Sequence, residues 1–331
     1  MKSKYFFQIF FSLILLAPCL AQQPKFVFDQ QKRLYLLAFS ENAKMLAAET
    51  DYDFKIYDTE NGAIIGQLKT PSGYFANSII FSKDGRFMIT GNNDGKVRVW
   101  ETQKFSLIKT LPVTKWSIYN LAISNDGKLL AIDAADGTIE LWDLDKAEKL
   151  KVLGKEGQRM SSMTFSPDEK FLASFNLQND LVLWNLADSP ASDEPIFAAP
   201  HSNQSPITFC AQGRELAIAD YESVKFLDAR NGKELRSVEL SRKINLDKPG
   251  TMRIGGLSSK QAVISPDCRT AAVNDWQTGK ITLVNLNTSK TIKTLNGADS
   301  GDTNYLITFS PNGKSFAAGS MKGKIRVWQV K

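Results

Sequence analysis

The chain has one histidine, His201, among 331 residues. That scarcity excludes a histidine-built zinc site and the paired histidines of an HExxH metallopeptidase helix. A Ser–His–Asp triad would have to use His201, on a proline-rich stretch between Pro190 and Pro206. No GxSxG elbow and no glycine-rich phosphate loop occurs. The three cysteines, Cys19, Cys210 and Cys268, are too few for a disulfide framework. Charge of one sign is also lacking: 41 basic residues stand against 35 acidic ones. Such a mixed surface gives no concentrated basic face for nucleic acid. No apolar run is long enough for an ordinary membrane span, the longest being residues 5–16. These absences leave no cofactor, metal or catalytic residue to assign.

The first 21 residues differ from the rest. Lys2 and Lys4 open them, residues 5–16 are apolar, and Cys19-Leu20-Ala21 offers small residues where a signal peptidase reads. This is the pattern of a secretory signal peptide cut before Gln22, so the protein is expected to be exported, periplasmic or secreted. An uncleaved anchor and a lipid on Cys19 are the alternatives; Pro18 stands where lipidation wants a small residue. Membrane contact is expected only through that segment or that lipid. Loss of Lys2 and Lys4 leaves a mature net charge of +4 in place of +6.

What the sequence has in abundance is repetition. In residues 81–100, FSKDGRFMITGNNDGKVRVW, apolar Ile79-Ile80-Phe81 leads to Ser82 and the turn Lys83-Asp84-Gly85. A second apolar run ends in the turn Asn92-Asn93-Asp94-Gly95, and Lys96-Val97-Arg98-Val99-Trp100 alternates polar with apolar. Asp, Asn and Gly at those turns and period-two alternation specify antiparallel strands joined by hairpins. The serine position recurs at Ser40, Ser82, Ser124, Ser166, Cys210, Ser265 and Ser310. A large apolar residue follows it, as Tyr57, Trp100, Trp142, Trp184, Leu227, Val284 and Trp328. Seven repeats of about 40–45 residues, four strands each, predict an all-β, seven-bladed propeller over residues 22–331.

The chain resembles the WD40 family. The resemblance is carried by Ser166-Pro167-Asp168, by Ser310-Pro311-Asn312-Gly313-Lys314, and by the closing pairs Trp142-Asp143, Trp184-Asn185, Trp100-Glu101 and Tyr57-Asp58. It runs from Lys25 to Val330. The Gly-His dipeptide that usually opens such a repeat is absent. Without it the family's internal hydrogen-bond network is expected to be missing, leaving packing and turns to hold the blades.

Further expectations follow. The last repeat stops after its third strand, so Phe26-Val27-Phe28 is expected to supply the fourth and close the ring. The first strand of each repeat is nearly all apolar and is expected to be buried on both faces. Lys96/Arg98 and Lys324/Arg326 read as the polar side of a strand. Cys210 and Cys268 fall in neighbouring repeats, and two free thiols are expected because disulfide geometry is narrow. Asp51/Asp53 and residues 92–95 carry calcium-like side chains, but hairpin backbone demands explain them. The longest spacing, between the fifth and sixth repeats, places an insertion at residues 241–256.

With no reaction chemistry to place, surface remains. The WD40 topology implies that the loops entering each repeat share one face, the top, with the hairpins between second and third strands. Tyr74, Phe75, Trp116, Tyr119, Trp276 and Tyr305 fall on those loops. Trp and Tyr anchor protein interfaces; the competing reading is that these rings pack over or between the blades. The expected function is a non-catalytic scaffold binding a protein or peptide there. The alternative is an exported enzyme or small-ligand binder using the central channel.

Overall fold

A computed structural model describes residues 22–330 apart from 51–52, 72, 134–135, 156, 158–159, 177, 187–194, 201–205, 220–222, 241–261 and 276–277, and apart from the side chains of Ala199, Pro200 and Tyr305. The signal segment, Cys19, Asp51, His201, Trp276 and the 241–256 insertion lie outside the described residues. Seven four-stranded antiparallel sheets form a ring of blades. We letter the strands a to d from the channel outward. Blade 1 comprises Leu34–Phe39, Met45–Thr50, Asp53–Asp58 and Ile64–Lys69, and blade 2 Ala76–Phe81, Phe87–Asn92, Lys96–Glu101 and Ser106–Pro112. Blades 3 to 6 repeat this plan, with Phe197–Pro200 as the outer strand of blade 4. In blade 7, strands a to c are Asn304–Phe309, Ser315–Ser320 and Lys324–Gln329, and strand d is Phe26–Asp29 from the other end of the chain. Phe26 pairs with Val327 and Phe28 with Ile325, which closes the ring as the sequence predicts.

The repeated serine has a physical reason. In blade 2, Ser82 Oγ donates to Asp84 Oδ1 (2.7 Å) and accepts from the Phe87 N–H (2.9 Å), tying the a–b turn to the start of strand b. Ser40, Ser124, Ser166, Ser265 and Ser310 repeat both bonds. The hydroxyls of Ser124 and Ser166 hold the Asp126 and Asp168 carboxyls below the usual carboxylate range. The position after the acid takes positive φ: Gly85 at 71°, Gly127 at 77°, Cys268 at 56°.

Tyr57, Trp100, Trp142, Trp184, Leu227, Val284 and Trp328 all occupy one slot, opposite the second residue of strand b. Except for Trp142, which is half-buried, they are buried between blades. Three expectations need correction. Cys210 and Cys268 are not free: they form a disulfide, Cα atoms 5.9 Å apart, joining blade 5 to the a–b turn of blade 6. Strand a is buried throughout in blade 6, but in blades 1, 2 and 4 it is half-buried in places, as at Leu36, Leu37 and Ala38, because one face lines the channel. The polar network is not wholly lost: Trp100 Nε1 donates to Thr90 Oγ1 (3.2 Å), which donates to Asn92 Oδ1 (3.1 Å).

Candidate functional site: the top face around blade 2

Loop 92–95, the b–c turn of blade 2, gathers the two flanking d–a loops. On one side, the Phe75 N–H donates to Asn93 Oδ1 and the Asn93 N–H to the Phe75 carbonyl, both at 3.0 Å. On the other, Val113 and Thr114 N–H groups donate to the Gly95 carbonyl (3.1 Å each), Ile118 N–H to the Asn92 carbonyl (3.0 Å), and Ser117 Oγ to the Asn93 carbonyl (3.2 Å). Gly95 has φ 72°, and a Cβ there would lie 2.0 Å from the Thr114 carbonyl oxygen, so only glycine permits this approach. The turn is fixed from below by Arg98. Its guanidinium is buried and grips Asp94 through both nitrogens, Nη1 to Oδ1 at 3.0 Å and Nη2 to Oδ2 at 2.6 Å.

Onto this frame the rings are mounted. Trp116 is 64% exposed, Tyr119 48%, and Tyr74 and Phe75 41% each. Ile118, between Trp116 and Tyr119, is fully buried and anchors the loop. The Tyr74 ring lies 5.9 Å from the Arg98 guanidinium. Four of the six sequence-selected residues thus sit exposed on the two loops tied to the 92–95 turn. Trp276 lies outside the described residues, and Tyr305 is placed only as a backbone position at the start of blade 7.

The sequence reading missed one member, Tyr35. It occupies the same repeat position as Tyr119 and Tyr305, five residues before the serine. It lies just before the apolar run Leu36–Phe39, where the register shifts between Leu34 and Leu36. That bulge turns Tyr35 out, 48% exposed. The Arg98 and Arg326 side chains are likewise not a solvated strand face. Both are buried, Arg326 donating to Asp299 Oδ1 (2.5 Å) and the Gly297 carbonyl (2.8 Å).

At the opposite end of the channel, the a strands and a–b turns enclose about 360 Å³. Ala38, Ile80, Thr164 and Thr308 line it, and Glu41 is its ionisable side chain among the described residues. Burial raises the Glu41 carboxyl above its usual range, with Lys83 opposing. Among the described residues no group of three or more His, Cys, Asp or Glu could hold a metal.

One buried acid near the top links stability to pH. Glu49 stands next to last in strand b of blade 1, fully buried, and its Oε1 accepts from the Ala76 N–H (3.0 Å). Among the described residues its Oε2 has no hydrogen-bond partner. Burial pushes its pKa from 4.5 up to about 7, against the lowering effect of the Ala76 N–H. The folded pKa lies above the unfolded one, so the contribution is full below pH 4.5 and is lost as pH rises toward 7. The loss is on the order of 3 kcal/mol. Urea midpoints at pH 5 and pH 8 should therefore differ more for wild type than for Glu49→Gln; equal differences would show that Glu49 is not buried as a charge.

Three segments of the chain, residues 63–101, 105–143 and 289–329, match the family model described as WD domain, G-beta repeat. These repeats, with the seven-bladed ring, support a propeller of the WD40 type. In the solved structure described as "Crystal Structure of Mitotic Checkpoint Complex", a chain is similar at 16% identity and a TM-score of 0.75, over 98% of this chain and 99% of that one. At that identity the likeness is one of fold.

Proposed function

We propose that the protein is a non-catalytic scaffold that binds a protein or peptide on its top face. The carrying observation is the blade 2 frame, which holds Tyr74, Phe75, Trp116 and Tyr119 exposed on loops tied down by backbone hydrogen bonds. Preordered rings lose little entropy on binding, and aromatic anchors dominate interface energetics. Trp276 and Tyr305 belong to the same proposed face by their repeat positions.

The protein is proposed to act outside the cytoplasm, after cleavage before Gln22. The leader-like composition of residues 1–21 supports this, and the Cys210–Cys268 disulfide suits an oxidising compartment. Capture of partners from extract of that compartment tests the reading. Residues 22–331 as bait should retain a partner that Trp116→Ala, at matched thermal stability, holds at least about tenfold more weakly. Equal retention by both baits would contradict it.

A further inference from the structure

We infer that Gln22 is a modification site: as the mature N-terminus it closes into pyroglutamate, and the lactam seats between blades 6 and 7. This goes beyond the scaffold reading and rests on the proposed cleavage before Gln22. Gln22 is half-buried and bridges in parallel to Leu295, on the outer strand of blade 6, Lys290–Asn296. Just after it the Lys25 N–H donates to the Val327 carbonyl (2.6 Å), where the chain joins blade 7. Gln22 thus lies in the seam at which strand d of blade 7 enters the ring. Its polar atoms are all engaged there. The backbone N–H donates to the Thr294 carbonyl (3.3 Å), and Oε1 accepts from Lys293 Nζ (2.7 Å). The Gln22 carbonyl accepts from Trp328 Nε1 (3.2 Å), and Nε2 donates to the carbonyl of exposed Gln329 (3.1 Å).

Cleavage turns that backbone amide into a primary amine, which is mostly protonated at neutral pH because an α-amino group titrates at about 7.7–8.0. The mature chain would then carry an ammonium on the same residue whose side-chain oxygen takes the Lys293 ammonium. Two like charges at one half-buried residue disfavour the docked state. Ring closure removes the terminal charge. The α-amine nitrogen attacks Cδ of the side-chain carboxamide within the same residue. An N–Cδ bond forms, the Cδ–Nε2 bond breaks, and Nε2 leaves as ammonia with a proton from the amine. Nothing is oxidised or reduced, and no co-reactant is consumed. The five-membered lactam keeps one N–H and one carbonyl, held cis and side by side. These match the Thr294 carbonyl and the Lys293 ammonium, which belong to consecutive residues. The Gln22 main-chain carbonyl remains for Trp328, and only the Nε2 bond to Gln329, at the surface, is given up. Closure precedes docking, because the atoms it needs are engaged once Gln22 is seated.

The test is the mass of the N-terminal peptide of protein purified from its native host. Free amines are dimethylated on lysis, so that ring closure during work-up is not counted. A protease specific for the bond before Asp29 then releases residues 22–28. The expected peptide starts at Gln22, is lighter by one ammonia and carries no methyl groups on its terminal nitrogen. A peptide starting at Gln22 with its ammonia retained and its terminus dimethylated would overturn the modification and leave the cleavage standing. A chain starting at any other residue would overturn both. Seating of the lactam is read separately. The open and closed forms of residues 22–331 differ by one charge and separate on ion exchange. The closed form should melt about 2 °C or more above the open one. Gln22→Asn, whose shorter side chain cannot form the five-membered ring, should melt no higher than the open form. Equal melting temperatures for open and closed chains would overturn the seating between blades 6 and 7.

Discussion

Removal of residues 22–30 is expected to abolish the folded monomer. Strand d of blade 7 would go with them, exposing the full edge of Lys324–Gln329. So would Phe28, whose ring stacks on Tyr57 at a centroid distance of 4.2 Å and bridges blade 7 to blade 1. Gln22 would be lost as well. Its N–H donates to the Thr294 carbonyl (3.3 Å) and its Nε2 to the Gln329 carbonyl (3.1 Å). Its Oε1 accepts from Lys293 Nζ (2.7 Å) and its carbonyl from Trp328 Nε1 (3.2 Å). Truncating a fully buried Phe costs about 3–5 kcal/mol, an upper bound for half-buried Phe28, against a total stability of about 5–15 kcal/mol. Chain 31–331 should elute as aggregate and show no cooperative thermal transition. A monomer with an unchanged melting temperature would refute closure by the N-terminal strand.

Replacing Cys210 and Cys268 together by serine should lower stability by about 4 kcal/mol, the chain-entropy value for the 58-residue separation they close. Serine is the fair replacement at Cys210 because the other six blades hold serine at that position, and at Cys268 because it is close to cysteine in size. Denaturant midpoints of the oxidised protein and the double variant measure the difference. Coincident midpoints would mean that the bond leaves the unfolded ensemble unconstrained. A thiol count on denatured protein from its native compartment should find both cysteines oxidised, and two free thiols there would place the protein in a reducing environment.

The parts of this fold that were legible in the sequence are those imposed on every blade. The serine recurs because one hydroxyl ties each a–b turn, and the large apolar residue recurs because one slot between blades must be filled. The missing outer strand of blade 7 and the spare Phe26–Asp29 segment are two halves of one requirement, visible without coordinates. What could not be read depended on which blade faces which. Cys210 and Cys268 are far apart in sequence, and only the ring brings the serine position of one blade against the turn of the next. Cys268 also stands where four of the other six repeats place glycine, at a position of positive φ, a sign that the position is constrained. Arg98 and Arg326 look like solvated strand residues until Asp94 and Asp299 are seen to fold back over them. Tyr35 was hidden by a bulge, an event that no period-two pattern records. The rings chosen for the site were legible as loop aromatics, but their assembly by the turn at 92–95 was not, because it depends on a backbone contact that only Gly95 permits.

The central claim is that a partner sits on the blade 2 side of the top face. The most direct measurement replaces Trp116 with a photo-crosslinking amino acid in the native host, beside a control with the same residue in place of Asn312 on the opposite face. The account predicts a discrete crosslinked protein adduct from position 116 and none from position 312. Adducts from position 312 alone, or none from 116 under conditions where a partner co-purifies, would contradict it and move the interface off the top face.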